Sequence, residues 1–271
     1  NRTQVGPSSH LISLPKSKAR QDSCSRTGQT NRRRRGEAFT FHGRRPPEMG
    51  DQGEGPAGFA RARHAAFLEL MSSELPDGYA TQEVNHLTLA YFAVAGLSLL
   101  RELDRVNKDQ IAKWVLSFQV HPEANVNLDN GQFYGFCGSR TTKFPSNLVK
   151  DPCHNGSHLA STYSALATLK IVGYDVLNLD SKVLLLSMKK LQQPDGSFMP
   201  THIGAETDLR FVYCAAAICS MLKDWSGMDK EKAKEYILNC QSYDGGFGMV
   251  PGSESHVSQV GELSVLLRPY I

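Results

Sequence analysis

The sequence predicts an all-α fold built from repeated helix pairs. Three observations carry that prediction. Apolar residues recur at helical spacing from about Phe59 onward. Three segments open on a cap-like polar residue and close on Gln: "NKDQIAKWVLSFQ" at Gln119, "LDSKVLLLSMKKLQ" at Gln192 and "MDKEKAKEYILNCQ" at Gln241. The last two run into "QQPDGSF" and "QSYDGGF", where Asp195 and Asp244, like Phe198 and Phe247, stand 49 residues apart.

The elements follow in order. "FARARHAAFLELMSSEL" has apolar residues at helical spacing. "ATQEVNHLTLAYFAVAGLSLLREL" is apolar almost all round and reads as a buried helix. "VNKDQIAKWVLSFQ" is amphipathic, with Asn107 or one of its neighbours as its cap. A Gly/Asn-rich loop covers roughly 121–157. "HLASTYSALATLKIVG" from His158 and "DLRFVYCAAAICSMLKDW" from Asp208 are more apolar helices with many small residues, and Tyr163 and Tyr213 in them are 50 residues apart. The repeating unit is an outer amphipathic helix, an Asp-Gly-Phe turn, a loop and an inner helix. Such a pair cannot bury its apolar face alone, so it stacks on its neighbours. His158, Asp208 and His256 stand at or near inner-helix starts and share one end of the assembly. If the pairs curl into a ring, these residues converge on one rim of a central cavity.

Composition narrows the function classes. Of the 271 residues 40% are hydrophobic, and the mean hydropathy is −0.35. No run of eighteen apolar residues exists, so no membrane span is expected. The start is polar and basic with no apolar signal region. The six cysteines include no Cys-x-x-Cys pair, which argues against a zinc ribbon. They read as reduced, buried thiols of a cytoplasmic protein. Residues 1–48 carry eleven Lys/Arg and three Asp/Glu, a balance of +8. The total of +3 leaves −5 for the remainder. This basic arm is rich in Ser, Gly, Pro and Arg and is expected to be disordered. Nucleic-acid binding would rest wholly on "NRRRRG" and "GRRPPE"; a solvated tail is the preferred reading, and no nucleic-acid partner is assigned. Met49 is a candidate start, which would make residues 1–48 translated leader sequence.

"QSYDGGFGMVPGSESH" together with "ETDLRFVYCAAAICSMLKDWSGMD" resembles the β subunits of protein prenyltransferases, most closely those of type I geranylgeranyltransferases. The two repeat motifs, the "LTLAYFAVAGL" helix and "GSHLASTYSALATL" occur in that family's order, from about Met49 to His256. The resemblance implies an α-α barrel, or toroid, of about six helix pairs, of which residues 49–256 form the N-terminal half. It implies a heterodimer with a helical-repeat α subunit. It also implies transfer of a geranylgeranyl group from geranylgeranyl diphosphate to the Cys of proteins ending in Cys-aliphatic-aliphatic-X (CaaX), with zinc.

The resemblance assigns site residues where its motifs match. His256 in "GSESH" takes the place of a histidine that binds the lipid diphosphate, a role that suits a donor facing developing negative charge. His158, Glu206 and Arg210 match a trio that holds the peptide carboxylate through a water. Arg210 follows Glu206 by four residues near a helix start, so the two can pair; a structural ion pair is an equal reading. Thr88 stands where farnesyltransferases carry a bulky Trp, leaving room for one more isoprene unit. Phe92, one turn from Thr88, and Tyr213, with Tyr91 and Tyr163, are expected to line the isoprenoid pocket. Each of these aromatics also reads as plain core.

The family's zinc ligands, an Asp-x-Cys pair and a later His, belong downstream of "SESH", as does its diphosphate-binding Arg/Lys pair. The expectation is that this chain carries no catalytic residue, binds no zinc and does not turn over. His202, His256, Cys214, Cys219 and Asp208 have no spacing that favours a tetrahedral site. Where the family continues Gly-Gly after the histidine, Val257 and Ser258 follow. Residues 257–271 are therefore expected to be an aberrant tail, read through from an unspliced intron. The alternative is a non-catalytic helical-repeat fragment that binds an α subunit or another partner. A farnesyltransferase β subunit or a triterpene-cyclase-like protein ranks lower; the cyclases need an Asp-rich acid motif that the sequence lacks.

Overall fold

The computed structural model describes residues 59–73, 75–122, 131–139 and 156–256. The expected arm 1–48 and tail 257–271 lie outside the described residues, as do Met49, Cys24 and Cys153. Seven α-helices are described: α1 (Arg61–Met71), α2 (His86–Leu99), α3 (Lys108–Leu116), α4 (Leu159–Ile171), α5 (Ser181–Lys189), α6 (Leu209–Leu222) and α7 (Lys230–Asn239). The expected helices all form, and α3 has the expected cap: the Asn107 side chain accepts from the Gln110 N–H at 3.0 Å. The helix expected from residue 80 begins later, because a 3₁₀ stretch over Asp77–Asn85 precedes α2.

The inner helices α2, α4 and α6 lie side by side in chain order, with α1 packed on α2, α3 on α4 and α5 on α6. Leu87, Val94, Leu159, Leu166, Val212, Ala216 and Ile218 belong to one core with Ile111 and Val115 of α3, Leu184 and Met188 of α5, and Tyr236 and Ile237 of α7. The all-round burial expected of α2 is not found. Leu87, Ala90, Ala93, Val94 and Leu97 are buried, whereas Phe92 is 61% and Leu99 86% exposed. The described neighbours α1 and α4 cover α2 only in part and leave Phe92 and Leu99 open.

Each predicted Gln closes a turn on a Phe. Isolated antiparallel bridges join Gln119 to Phe136, Gln192 to Phe198 and Gln241 to Phe247. The residue after each Phe donates back to the carbonyl before each Gln: Cys137 to Phe118 at 3.0 Å, Met199 to Leu191 at 3.0 Å and Gly248 to Cys240 at 2.9 Å. The next residue reaches sideways, to the helix of the preceding pair. The Leu87 N–H donates to Gly138 at 2.9 Å, Leu159 to Pro200 at 2.8 Å and Leu209 to Met249 at 2.9 Å. These bonds satisfy a donor that each inner helix start leaves open. They also tie each turn to the inner helix of the preceding pair.

Candidate functional site

The three inner helices present one row of phenols. Tyr91 of α2, Tyr163 of α4 and Tyr213 of α6 join through their hydroxyls, 3.0 Å for the first pair and 3.2 Å for the second. Their rings meet edge-on, with centroids 5.5 and 5.4 Å apart, the arrangement the ring quadrupole favours. Tyr163 sits between the other two. Burial first, and the hydrogen bonds to Tyr213 and Tyr91 second, push its ionisation far above the usual tyrosine range.

The other expected pocket residues lie along this row. The Ser164 hydroxyl of α4 donates to the Thr88 hydroxyl of α2 at 3.4 Å. Phe92 stands with its ring 5.3 Å from that of Tyr91. Thr88 and Tyr213 thus connect to α4, while Phe92 lies at the largely exposed edge. A sequence signal for the row exists. "HLTLAY", "HLASTY" and "DLRFVY" share a polar residue, Leu and, four residues after the Leu, Tyr.

His158 is the N-cap of α4, and its Nδ1 accepts from the Ala160 N–H at 3.1 Å. That bond leaves the ring proton on Nε2. Burial lowers the His158 pKa from its ordinary value, which favours the neutral imidazole. Its ring stands edge-on to Phe211, centroids 5.8 Å apart, and the Arg210 guanidinium lies 5.6 Å from the centre of the same Phe211 ring. The structure therefore brings His158 and Arg210 to one aromatic.

Glu206 does not join them as expected. Arg210 pairs with Asp208, its Nη2 2.6 Å from Oδ2 and its Nε 3.1 Å from Oδ1, and Glu206 is exposed in the loop before α6. The reason is local. Asp208 is the N-cap of α6, with Oδ1 accepting from the Arg210 N–H at 2.9 Å. A carboxylate already held two residues away costs Arg210 less side-chain freedom than one in a loop. Asp208 reads from the sequence as a helix start and as a metal-ligand candidate without suitable spacing; its pairing with Arg210 and the place of Phe211 are findings of the structure.

His256 is exposed, and its N–H donates to the Phe247 carbonyl at 2.9 Å. The His158 N–H makes the same bond to Phe136 at 3.1 Å. His256 therefore holds, at the third turn, the position that the α4 cap holds at the first.

Cys137, Cys214, Cys219 and Cys240 are buried and not joined in disulfides, as expected of reduced structural thiols. Burial pushes Cys219 up to about 12 and Cys240 up to about 11, so neither is a thiolate at neutral pH. Among the described residues, no three His, Cys, Asp or Glu side chains come together in a group that could hold a metal ion. No described helix is long and apolar enough to cross a membrane.

Stacked helix pairs joined by Gln–Phe turns, with an aromatic row on the inner layer, define an all-α repeat protein of the toroid type. The prenyltransferase alpha-alpha toroid domain matches residues 59–261, and the chain belongs to that family. It is 64% identical over 200 residues to the geranylgeranyl transferase type-1 subunit beta of Arabidopsis thaliana, covering 74% of this chain and 53% of that one. It is 32% identical over 225 residues to the Dictyostelium discoideum protein of the same name, covering 74% of this chain and 63% of that one. The chain thus spans roughly half to two thirds of the length of these relatives. A solved Candida albicans protein geranylgeranyltransferase-I complexed with GGPP superposes with a TM-score of 0.62 at 22% identity, over 77% of this chain and 60% of that one, and confirms the fold.

Proposed function

We propose that the chain serves in the β subunit of a type I protein geranylgeranyltransferase, paired with a prenyltransferase α subunit in the cytoplasm. The reaction transfers a geranylgeranyl group from its diphosphate to the cysteine sulfur of a protein with a C-terminal CaaX sequence. The C–O bond to the diphosphate breaks and a C–S bond forms. The observation that carries this reading is the row Tyr91–Tyr163–Tyr213 across three adjacent inner helices. A long isoprenoid needs a continuous apolar wall. Phenols that hydrogen-bond to one another supply ring surface without presenting each hydroxyl alone to the lipid. The names of the two curated relatives support the same reading.

In this reading Thr88, Phe92 and Tyr213 border the lipid, and His256 donates to its diphosphate. His158, through Nε2–H, and Arg210 flank the peptide carboxylate, and Glu206 belongs to the loop that leads into α6. Arg210 arrives already compensated by Asp208, so it orients an anion or a water more than it neutralises one. The zinc that the family implies finds no ligand set among the described residues.

The test is co-expression with a prenyltransferase α subunit, followed by binding of radiolabelled geranylgeranyl diphosphate and farnesyl diphosphate to the purified complex. Saturable binding that prefers the longer lipid is expected. Absence of saturable binding of either lipid refutes the reading.

A further inference from the structure

Two hydroxyls of α4 share one habit. Thr162 donates to the His158 carbonyl at 2.9 Å, and Thr168 donates to the Ser164 carbonyl at 2.7 Å. Each folds back on the carbonyl four residues before it, a common partner of a helical hydroxyl. Ser164 departs from that habit. Its hydroxyl leaves its own helix and donates across to Thr88 Oγ1 of α2 at 3.4 Å. Ser164 is 2% exposed, and Thr88 is half-buried. Hydroxyls therefore join α2 to α4 twice. The Tyr91–Tyr163 pair is one rung, at 3.0 Å. The Thr88–Ser164 pair is the other, three residues before Tyr91 on α2 and one after Tyr163 on α4.

The second rung decides which group Thr88 shows. Threonine carries a methyl and a hydroxyl on one Cβ, at staggered positions about 120° apart. In a helix it divides between two χ1 rotamers, and these differ in which group takes a given side. With Oγ1 held toward α4, the methyl is left to the side away from α4. Phe92, one turn further on, lies open and 61% exposed.

We infer that Ser164 is a positioning residue for lipid choice: it holds Thr88 so that the methyl, and not the hydroxyl, meets the end of the isoprenoid. This rests on the reading above that Thr88 borders the lipid. In that reading only the longer lipid reaches Thr88, because farnesyl diphosphate is one isoprene unit shorter. A hydroxyl turned into that space would be desolvated by the apolar tail with no partner, which costs binding. Freeing Thr88 therefore weakens the geranylgeranyl ligand and leaves the farnesyl ligand as it was. The size of residue 88 sets the room at this site, and Ser164 sets its polarity.

The experiment is competition between geranylgeranyl and farnesyl diphosphate for the complex with a prenyltransferase α subunit. Ser164→Ala, a mild change in a helix interior, should reduce the preference for the longer lipid about three- to tenfold, through the geranylgeranyl ligand alone. In a Thr88→Val background, where a methyl replaces the hydroxyl, the same change should move the ratio by less than about twofold. A Ser164 that only supports the fold would weaken both lipids together, in either background. A preference unmoved by Ser164→Ala, or moved equally in the Thr88→Val background, overturns the inference. A second readout needs no lipid. In the same complex labelled with ¹³C-threonine, three-bond couplings to the Thr88 methyl should report one χ1 rotamer, and averaged rotamers in Ser164→Ala. A Thr88 already averaged in the wild type, with lipid binding intact, overturns the role of Ser164 alone. A single Thr88 rotamer with no binding of either lipid refutes the function proposed above, and the lipid role of Ser164 with it.

Discussion

Tyr163→Phe removes one oxygen and two hydrogen bonds, to Tyr91 at 3.0 Å and to Tyr213 at 3.2 Å. The ring contacts at 5.5 and 5.4 Å remain. A net hydrogen bond contributes about 0.5–1.5 kcal/mol, and these are part-buried, so water recovers some of the loss. The expected destabilisation is about 1–2 kcal/mol. Tyr91→Phe and Tyr213→Phe each break one of these bonds and should cost about half as much. For a folded region of this size, the Tyr163→Phe cost lowers Tm by about 2–8 °C. Urea unfolding should show a lower midpoint at unchanged slope. Alkaline titration gives a second reading. The folded Tyr163 phenol ionises far above its ordinary 10.0. Its contribution to stability is therefore full below pH 10 and declines as pH rises, because only the unfolded chain releases that proton. Tyr163→Phe should flatten this alkaline decline. A variant within about 0.3 kcal/mol of wild type, or an end variant that costs as much as the central one, would show that the hydroxyls are not coupled.

Three further outcomes follow from the same geometry. Gly196→Ala should cost about 3 kcal/mol or more, because it adds a clash 2.0 Å from backbone to the strain of φ +93°; Gly245→Ala, with φ +82° and no described neighbour within 4 Å, should cost about 1–2 kcal/mol by thermal unfolding. Burial lowers the folded His158 pKa from 6.5, so the group's contribution to stability is full above pH 6.5 and is lost as pH falls toward the folded value; His158→Asn keeps a cap and should flatten that acid limb in a pH series of unfolding midpoints. Thr88→Trp should shift lipid preference of the α-subunit complex from geranylgeranyl toward farnesyl diphosphate in competition binding, since Ser164 at 3.4 Å blocks retreat toward α4; an unchanged preference would remove Thr88 from the pocket.

The repeat was legible because its determinants are local: Gln, Gly and Phe at fixed offsets, and polar caps before each helix. All seven described helices were foreseen, and of the cap candidates around Asn107 it is Asn107 itself that caps α3. Phe136 was not recognised as the partner of Gln119, because 17 residues separate them where six separate Gln192 from Phe198 and Gln241 from Phe247. The loop hides a third copy of the turn. Arg210 was matched to a partner at helical spacing, Glu206, but that residue precedes the helix, where the spacing rule fails. The N-cap carboxylate of Asp208 was nearer in space. The exposure of Phe92 depends on which neighbours α2 has, a property that no window of its own sequence contains.

The turns and the tyrosines are one device. In each pair the inner-helix residue tied to the next turn is a Leu, and the tyrosine follows it by four: Leu87 and Tyr91, Leu159 and Tyr163, Leu209 and Tyr213. The sequence separations of the tyrosines are unequal, 72 and 50, yet their hydroxyls meet at nearly equal distances. The extra residues in the first interval lie in the loop, upstream of the bond that sets the register. Level phenols therefore follow from level turns, not from equal spacing. One residue inserted between Leu159 and Tyr163 would rotate the phenol by about 100° around α4, away from both partners, while leaving the turns bonded. Loss of the alkaline-resistant phenol with the helices retained by circular dichroism is the expected signature. Retention of that phenol would mean that the helices, and not the turns, set the row.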